Sequence, residues 1–252
     1  MNAFAESLST AWALIAGADA QLLQVVGLSL GVSGTACLLA AAFGLAAGAA
    51  LAVWRFPGRR GVLVLLNTLL ALPSVVVGLV VYLLLSRSGP LGEWGLLFTP
   101  GAMVVAQTIL VVPVVAALTR EAIAATWKAN GEQLQSLGAG RATAAALLLW
   151  DERLTVLTVL LAAFGRAISE VGAVMIVGGN IAGHTRVMPT AIALETSKGD
   201  LPLALALGMV LLSVVLGLNV LIAAVRWWST HHHGGDTGRP AEAQAATGAA
   251  NG

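Results

Sequence analysis

Residues 20–54, AQLLQVVGLSLGVSGTACLLAAAFGLAAGAALAVW, hold no Asp, Glu, Lys or Arg. Such a stretch offers water no charged face, and as a helix it would reach ~52 Å at ~1.5 Å per residue, more than the ~30 Å of a bilayer's hydrocarbon core. It reads as a membrane span whose beginning lies outside the hydrocarbon. Working outward, residues 61–86, 97–119 and 201–225 are equally free of charge, and residues 154–177 are apolar except for Arg166 and Glu170. The expected fold is an all-α integral membrane protein with about five transmembrane helices over residues 1–228. Residues 229–252 turn to His, Gly, Asp, Thr, Pro and Ala and are expected to form a disordered tail.

The composition agrees. Of 252 residues, 58% are hydrophobic and only 10% charged, where soluble domains carry about 25% charged residues. A water-covered surface is excluded. A net charge of +1, with no basic face, gives nucleic acid nothing to bind. Cys37 lies inside the first span and is expected to pack there. The start of the chain has Glu6 and Asp19 and no basic cluster, unlike a cleaved signal peptide, so the first span is expected to serve as the insertion signal and Phe4–Ala16 to lie in the interface. His231, His232 and His233 sit in the expected tail without fixed geometry, and no metal site is expected.

Lys and Arg set the orientation. Arg55, Arg59, Arg60, Arg120, Lys128, Arg141, Arg153, Arg226 and Arg239 fall on one side of the five spans, against Arg87, Arg186 and Lys198 on the other. This places the N-terminus outside and the C-terminus in the cytoplasm. Thr99-Pro100 and Asp200-Leu201-Pro202 supply caps where the third and fifth spans begin, and Pro189 and Gly199 bracket a short helix over Met188–Lys198. Pro73 and Pro113 are expected to kink spans two and three.

The cytoplasmic loop, residues 120–153, is too polar to span and too helix-prone for a slack linker. Asn130 is placed to cap a helix beginning at Glu132, Gly138 and Gly140 interrupt it, and a helix over Arg141–Trp150 leads into the fourth span. Within that span, Arg166 and Glu170 stand one turn apart with Ser169 between them, and a charge at such depth costs at least ~2.5 kcal/mol unless paired or watered. They either fix helix packing as an ion pair or serve gating and selectivity. Gly165, Ser169 and Ala173 on span four, and Gly44 and Gly48 on span one, allow close helix contact. In the outer loop, Gly178-Gly179-Asn180 and His184-Thr185-Arg186 offer donors to an oxyanion or a partner protein, or form a plain solvated loop.

Glu132-Gln133-Leu134-Gln135-Ser136-Leu137-Gly138 resembles the EAA loop of ABC-importer permeases, with Gln133 and Leu134 in place of the two alanines. Leu148, Trp150 and Asp151 take the later Ile, Leu and Pro places of that pattern. The run Ala163–Ile181 is similar to the matching segment of the molybdate, tungstate and sulfate branch. Residues 56–60, 72–79, 86–92 and 97–100 look most like tungstate permeases. The resemblance covers about Leu22–Trp228 and implies a MetI-like permease fold working as a homodimer. It also implies two separate ABC ATPase subunits that use ATP and Mg²⁺, and an extracytoplasmic oxyanion-binding protein. Tungstate would be the cargo, with molybdate or sulfate next, in a bacterial or archaeal cell (inner) membrane. Glu132, Gln133, Leu134, Ser136, Leu137 and Gly138 would meet the ATPase.

The chain itself is expected to bind no cofactor and to hydrolyse nothing. A phosphate-binding loop needs Gly-Lys followed by Ser or Thr, and the two lysines, Lys128 and Lys198, follow Trp and Ser. No paired catalytic His, Ser or Cys arrangement stands near a span end. The competing class is a gradient-driven carrier or channel, in which Glu170 would carry protons.

Overall fold

The computed structural model describes residues 3–17 and 20–233. Its regular elements are α1 (Ala3–Ala16), α2 (Ala20–Val53), α3 (Arg59–Leu70), α4 (Ser74–Leu85), α5 (Pro100–Ser136), α6 (Arg141–Asp151), α7 (Arg153–Ile168), α8 (Gly172–Gly178), α9 (Met188–Lys198) and α10 (Leu201–His233), with one 3₁₀ turn at Gly92–Trp94. There is no strand among the described residues. Helices α2, α5 and α10 are each long and apolar enough to cross a bilayer, and the bent pairs α3–α4 and α7–α8 bring the number to five if each pair is one span.

The α2–α5 contact is the most extensive between any two helices described, and glycine makes it possible. A methyl on Gly44 would lie 2.7 Å from Val115 Cβ; one on Gly48 would lie 2.6 Å from Ala116 O and 2.8 Å from Thr119 Cβ. The small-residue face of span one is therefore spent inside the chain, against α5. Gly165 of span four has open space around it instead, and Ser169 is exposed beside it.

Two helix starts follow the expected chemistry. Thr99 Oγ1 accepts the Ala102 N–H ahead of Pro100, and Asp200 Oδ1 accepts the Leu203 N–H at 3.2 Å ahead of α10. The short helix over Met188–Lys198 forms and stops at Gly199, whose φ is +86°. At the far end α10 continues to His233, past the expected tail start at Ser229, and residues 234–252 lie outside the described residues. The helix α1 packs along α10, where Trp12 and Ile15 face Met209 and Val214 across a groove.

Three expectations need correction. Span two is not one kinked helix: α3 and α4 meet at 98°. Pro73 cannot donate a backbone hydrogen bond and pushes the residue before it toward extended backbone, so α3 stops at Leu70 and Pro73 caps α4 with ψ 125°. Pro113, by contrast, remains inside an uninterrupted α5.

Asn130 is not a helix cap. Helix α5 runs through it to Ser136, because residues 120–136 hold strong helix formers and one tolerated glycine, Gly131, which sits against the Trp127 ring. The expected loop helix is the end of span three itself.

Span four is also broken, by 57° between Ile168 and Gly172. In a continuous helix Ala167 O would accept from the Val171 N–H and Ser169 O from the Ala173 N–H. Here Ala167 O accepts from Gln107 Nε2 at 2.9 Å and from the Glu170 N–H at 3.1 Å, and the Ala173 N–H goes to Glu170 Oε1 at 3.3 Å. The two bent pairs meet at their breaks: a methyl on Gly172 would lie 2.8 Å from Ser74 Oγ, and one on Gly78 would lie 2.7 Å from Ala173 Cα.

Candidate functional site

The polar hairpin between α5 and α6 is shaped by one residue. Gly138 has φ +79°; its N–H donates to Gln135 O and the Ala139 N–H to Leu134 O, each at 3.0 Å. This paired closure uses a left-handed residue just past a helix end, a conformation that favours glycine. Behind the turn, Leu134 and Trp127 pack on a buried cluster of Ala49, Ala52, Val53, Ile123, Ala145 and Leu148, which fixes the hairpin to α2. In front of it, Glu132, Gln133 and Ser136 are exposed and Leu137 is 76% exposed. The Ser136 hydroxyl is turned back onto Gln133 O at 2.8 Å.

Helix α6 carries the chain from this tip to an elbow at Glu152. Thr126 Oγ1 on α5 donates to Glu152 Oε1 at 2.6 Å, and Thr155 Oγ1 donates to Oε2 at 2.7 Å. A carboxylate with both oxygens engaged makes a firm joint, and α7 leaves from it. Glu152 is not marked by the sequence: its bond to Thr126 joins residues 26 apart in the chain.

At the break, Arg166 and Glu170 form the expected pair, loosely: Nη1 lies 3.9 Å from Oε2. Their surroundings differ. The Arg166 side chain is 50% exposed and the Glu170 side chain 7%, and Glu170 also holds the start of α8 through Ala173. Arg166 and Ser169 thus share an open surface while Glu170 turns into the protein. Gln107, the other polar group at this break, escaped the sequence reading; it is the single amide in residues 97–119, and that alone marks it.

The three loop residues go to three different surroundings. Asn180, at φ +50°, donates from Nδ2 to Thr190 O at 3.3 Å. Arg186 turns inward, with Nη1 3.5 Å from Glu195 Oε1, and Lys198 Nζ shares that oxygen at 2.9 Å. His184 is exposed. The loop is no slack strand of solvated chain. Ser29 Oγ accepts the Met188 N–H at 2.7 Å, Gln24 Nε2 donates to Gly183 O at 3.2 Å, and Thr185 Oγ1 donates to Gly178 O at 2.5 Å. Among the described residues no group of His, Cys, Asp and Glu could hold a metal ion.

No protein-family model matches the chain. Curated relatives do. The tungstate uptake system permease protein TupB of Peptoclostridium acidaminophilum is 41% identical over 90% of this chain and 99% of its own. A probable anion ABC transporter permease protein of Haloferax volcanii is 44% identical over 81% of this chain and 90% of its own. The sulfate transport system permease protein CysT of Escherichia coli is more distant, 30% identical over 69% of this chain and 65% of its own. With such identity along nearly the whole of a helical chain with three to five apolar spans, the chain belongs to the oxyanion branch of the ABC-transporter permeases and is a multi-pass protein of the cell membrane.

Proposed function

We propose that the chain is the pore-forming permease subunit of an ATP-driven importer of an oxyanion, tungstate first, with molybdate and sulfate next. It works as a MetI-like homodimer, residues 1–228 forming the permease domain. Two ATPase subunits, which use ATP and Mg²⁺, sit at the hairpin end, and an extracytoplasmic binding protein delivers the anion at the other. The hairpin end is cytoplasmic, in keeping with the nine Lys and Arg on that side against three.

The hairpin carries this reading. An apolar side chain as exposed as Leu137, at the tip of an otherwise polar turn, suits a groove on a protein partner. Motion imposed there passes along α6 to the Glu152 joint and into α7. At the other end of α7, two copies of half-exposed Arg166 would place cations along the path of a dianion, with the buried Glu170 carboxylate 3.9 Å away offsetting part of their charge. The test is native mass spectrometry of the chain expressed with its cognate ATPase and binding protein. The expected particle holds two permease and two ATPase chains. A chain that purifies without an ATPase and drives uptake from an ion gradient would replace this reading with the carrier class.

A further inference from the structure

Gln107 is 3% exposed, and its two amide atoms have unequal fates. Nε2 donates to Ala167 O at 2.9 Å, while Oε1 is buried with no hydrogen-bond partner. Ala167 O also accepts the Glu170 N–H at 3.1 Å, so this carbonyl would be satisfied without the amide. The unpaired oxygen costs about 1–3 kcal/mol, so the bent arrangement leaves this amide only half satisfied. The Val171 N–H, which a continuous helix would direct at Ala167 O, makes no backbone bond across the break.

We propose that Gln107 is the positioning residue of a two-state hinge in span four: its amide competes with the Val171 N–H for Ala167 O and holds the span bent until the motor acts. Both halves of the span pack on α5, but their other neighbours differ. Helix α8 is locked to α4 by the Gly78–Ala173 and Gly172–Ser74 contacts. Helix α7 packs on α2 and α10 and leaves from the Glu152 joint below the hairpin, so a displacement of the hairpin reaches α7 before α8. When α7 straightens onto α8, the Val171 N–H takes Ala167 O and the amide is released. Bistable elements of this kind convert a small displacement into a switch.

The inference rests on the motor-driven reading above, and two measurements keep the two apart. The first is the factor by which loaded binding protein stimulates ATP hydrolysis in the reconstituted complex. The second is the distance between spin labels at Leu157→Cys and Met175→Cys, exposed positions on the two halves, in a Cys37→Ala background. Gln107→Met keeps length and volume but removes the amide. It is expected to lengthen the label separation, raise unstimulated hydrolysis at least threefold and bring the stimulation factor close to one.

Wild-type stimulation in a folded Gln107→Met complex overturns the hinge. If that variant does not assemble, Gln107→Asn, one methylene too short for Ala167, is read the same way. Failure of both to assemble shows a packing role only and also overturns it. If the wild-type complex itself shows no stimulation, the motor-driven reading falls, and the label distances alone decide whether Gln107 holds the bend.

Discussion

Gly138→Val is expected to lower binding-protein-stimulated ATP hydrolysis and anion uptake at least tenfold while leaving the membrane helices folded. A methyl at this position meets nothing within 4 Å, so the penalty is conformational alone. At φ +79° an L-residue costs about 1–2 kcal/mol, and a β-branched one more. The chain escapes that strain by giving up the Gly138–Gln135 and Ala139–Leu134 bonds, which redirects Leu137 and the whole tip. The cluster of Ala49, Ile123 and Leu148 beneath the turn is untouched, so thermal unfolding in detergent should move by no more than a few degrees. Gly138→Asn, which tolerates the left-handed region, should keep most of the activity. Full stimulation in the Val variant would show that the tip does not transmit the motor's stroke.

Gly48→Leu is expected to prevent folding rather than coupling. The atoms in its way are largely main chain, Ala116 O at 2.6 Å and Arg120 N at 3.0 Å, and these cannot swing aside like a side-chain tip. Overpacking costs about 1–3 kcal/mol where side chains can adjust. Here α2 and α5 must separate, and the packing along the rest of their contact goes with them. Size-exclusion profiles of a fluorescent fusion should show loss of the monodisperse peak. Gly31→Leu, in the same helix but facing open space, should leave that peak unchanged. A monodisperse Gly48→Leu variant would mean that the helices can pack without this close approach.

The parts of the fold legible in the sequence are those that depend on local chemistry. Charge-free stretches mark the three long apolar helices α2, α5 and α10, Thr99 and Asp200 mark two helix starts, and Pro189 with Gly199 marks α9 to the residue. What escaped are features settled by partners distant in the chain. At the break in span four, the Ala167 carbonyl takes an N–H from Gln107, sixty residues upstream. Arg186 reads as a free donor until Glu195 folds against it. Asn130 has the chemistry of a cap, but a cap forms only where a helix starts, and α5 was already running. The same limit applied to Gly44 and Gly48: the sequence marks a close contact, and only the fold names α5 as its partner.

The central claim, an oxyanion pore driven by a separate ATPase, is tested most directly by tungstate uptake into proteoliposomes, with luminal tungsten counted by mass spectrometry. The complex should take up tungstate only with ATP and loaded binding protein, persist when ionophores collapse every ion gradient, and slow severalfold with Arg166→Gln. Uptake that proceeds without ATP and stops with the ionophore would contradict it.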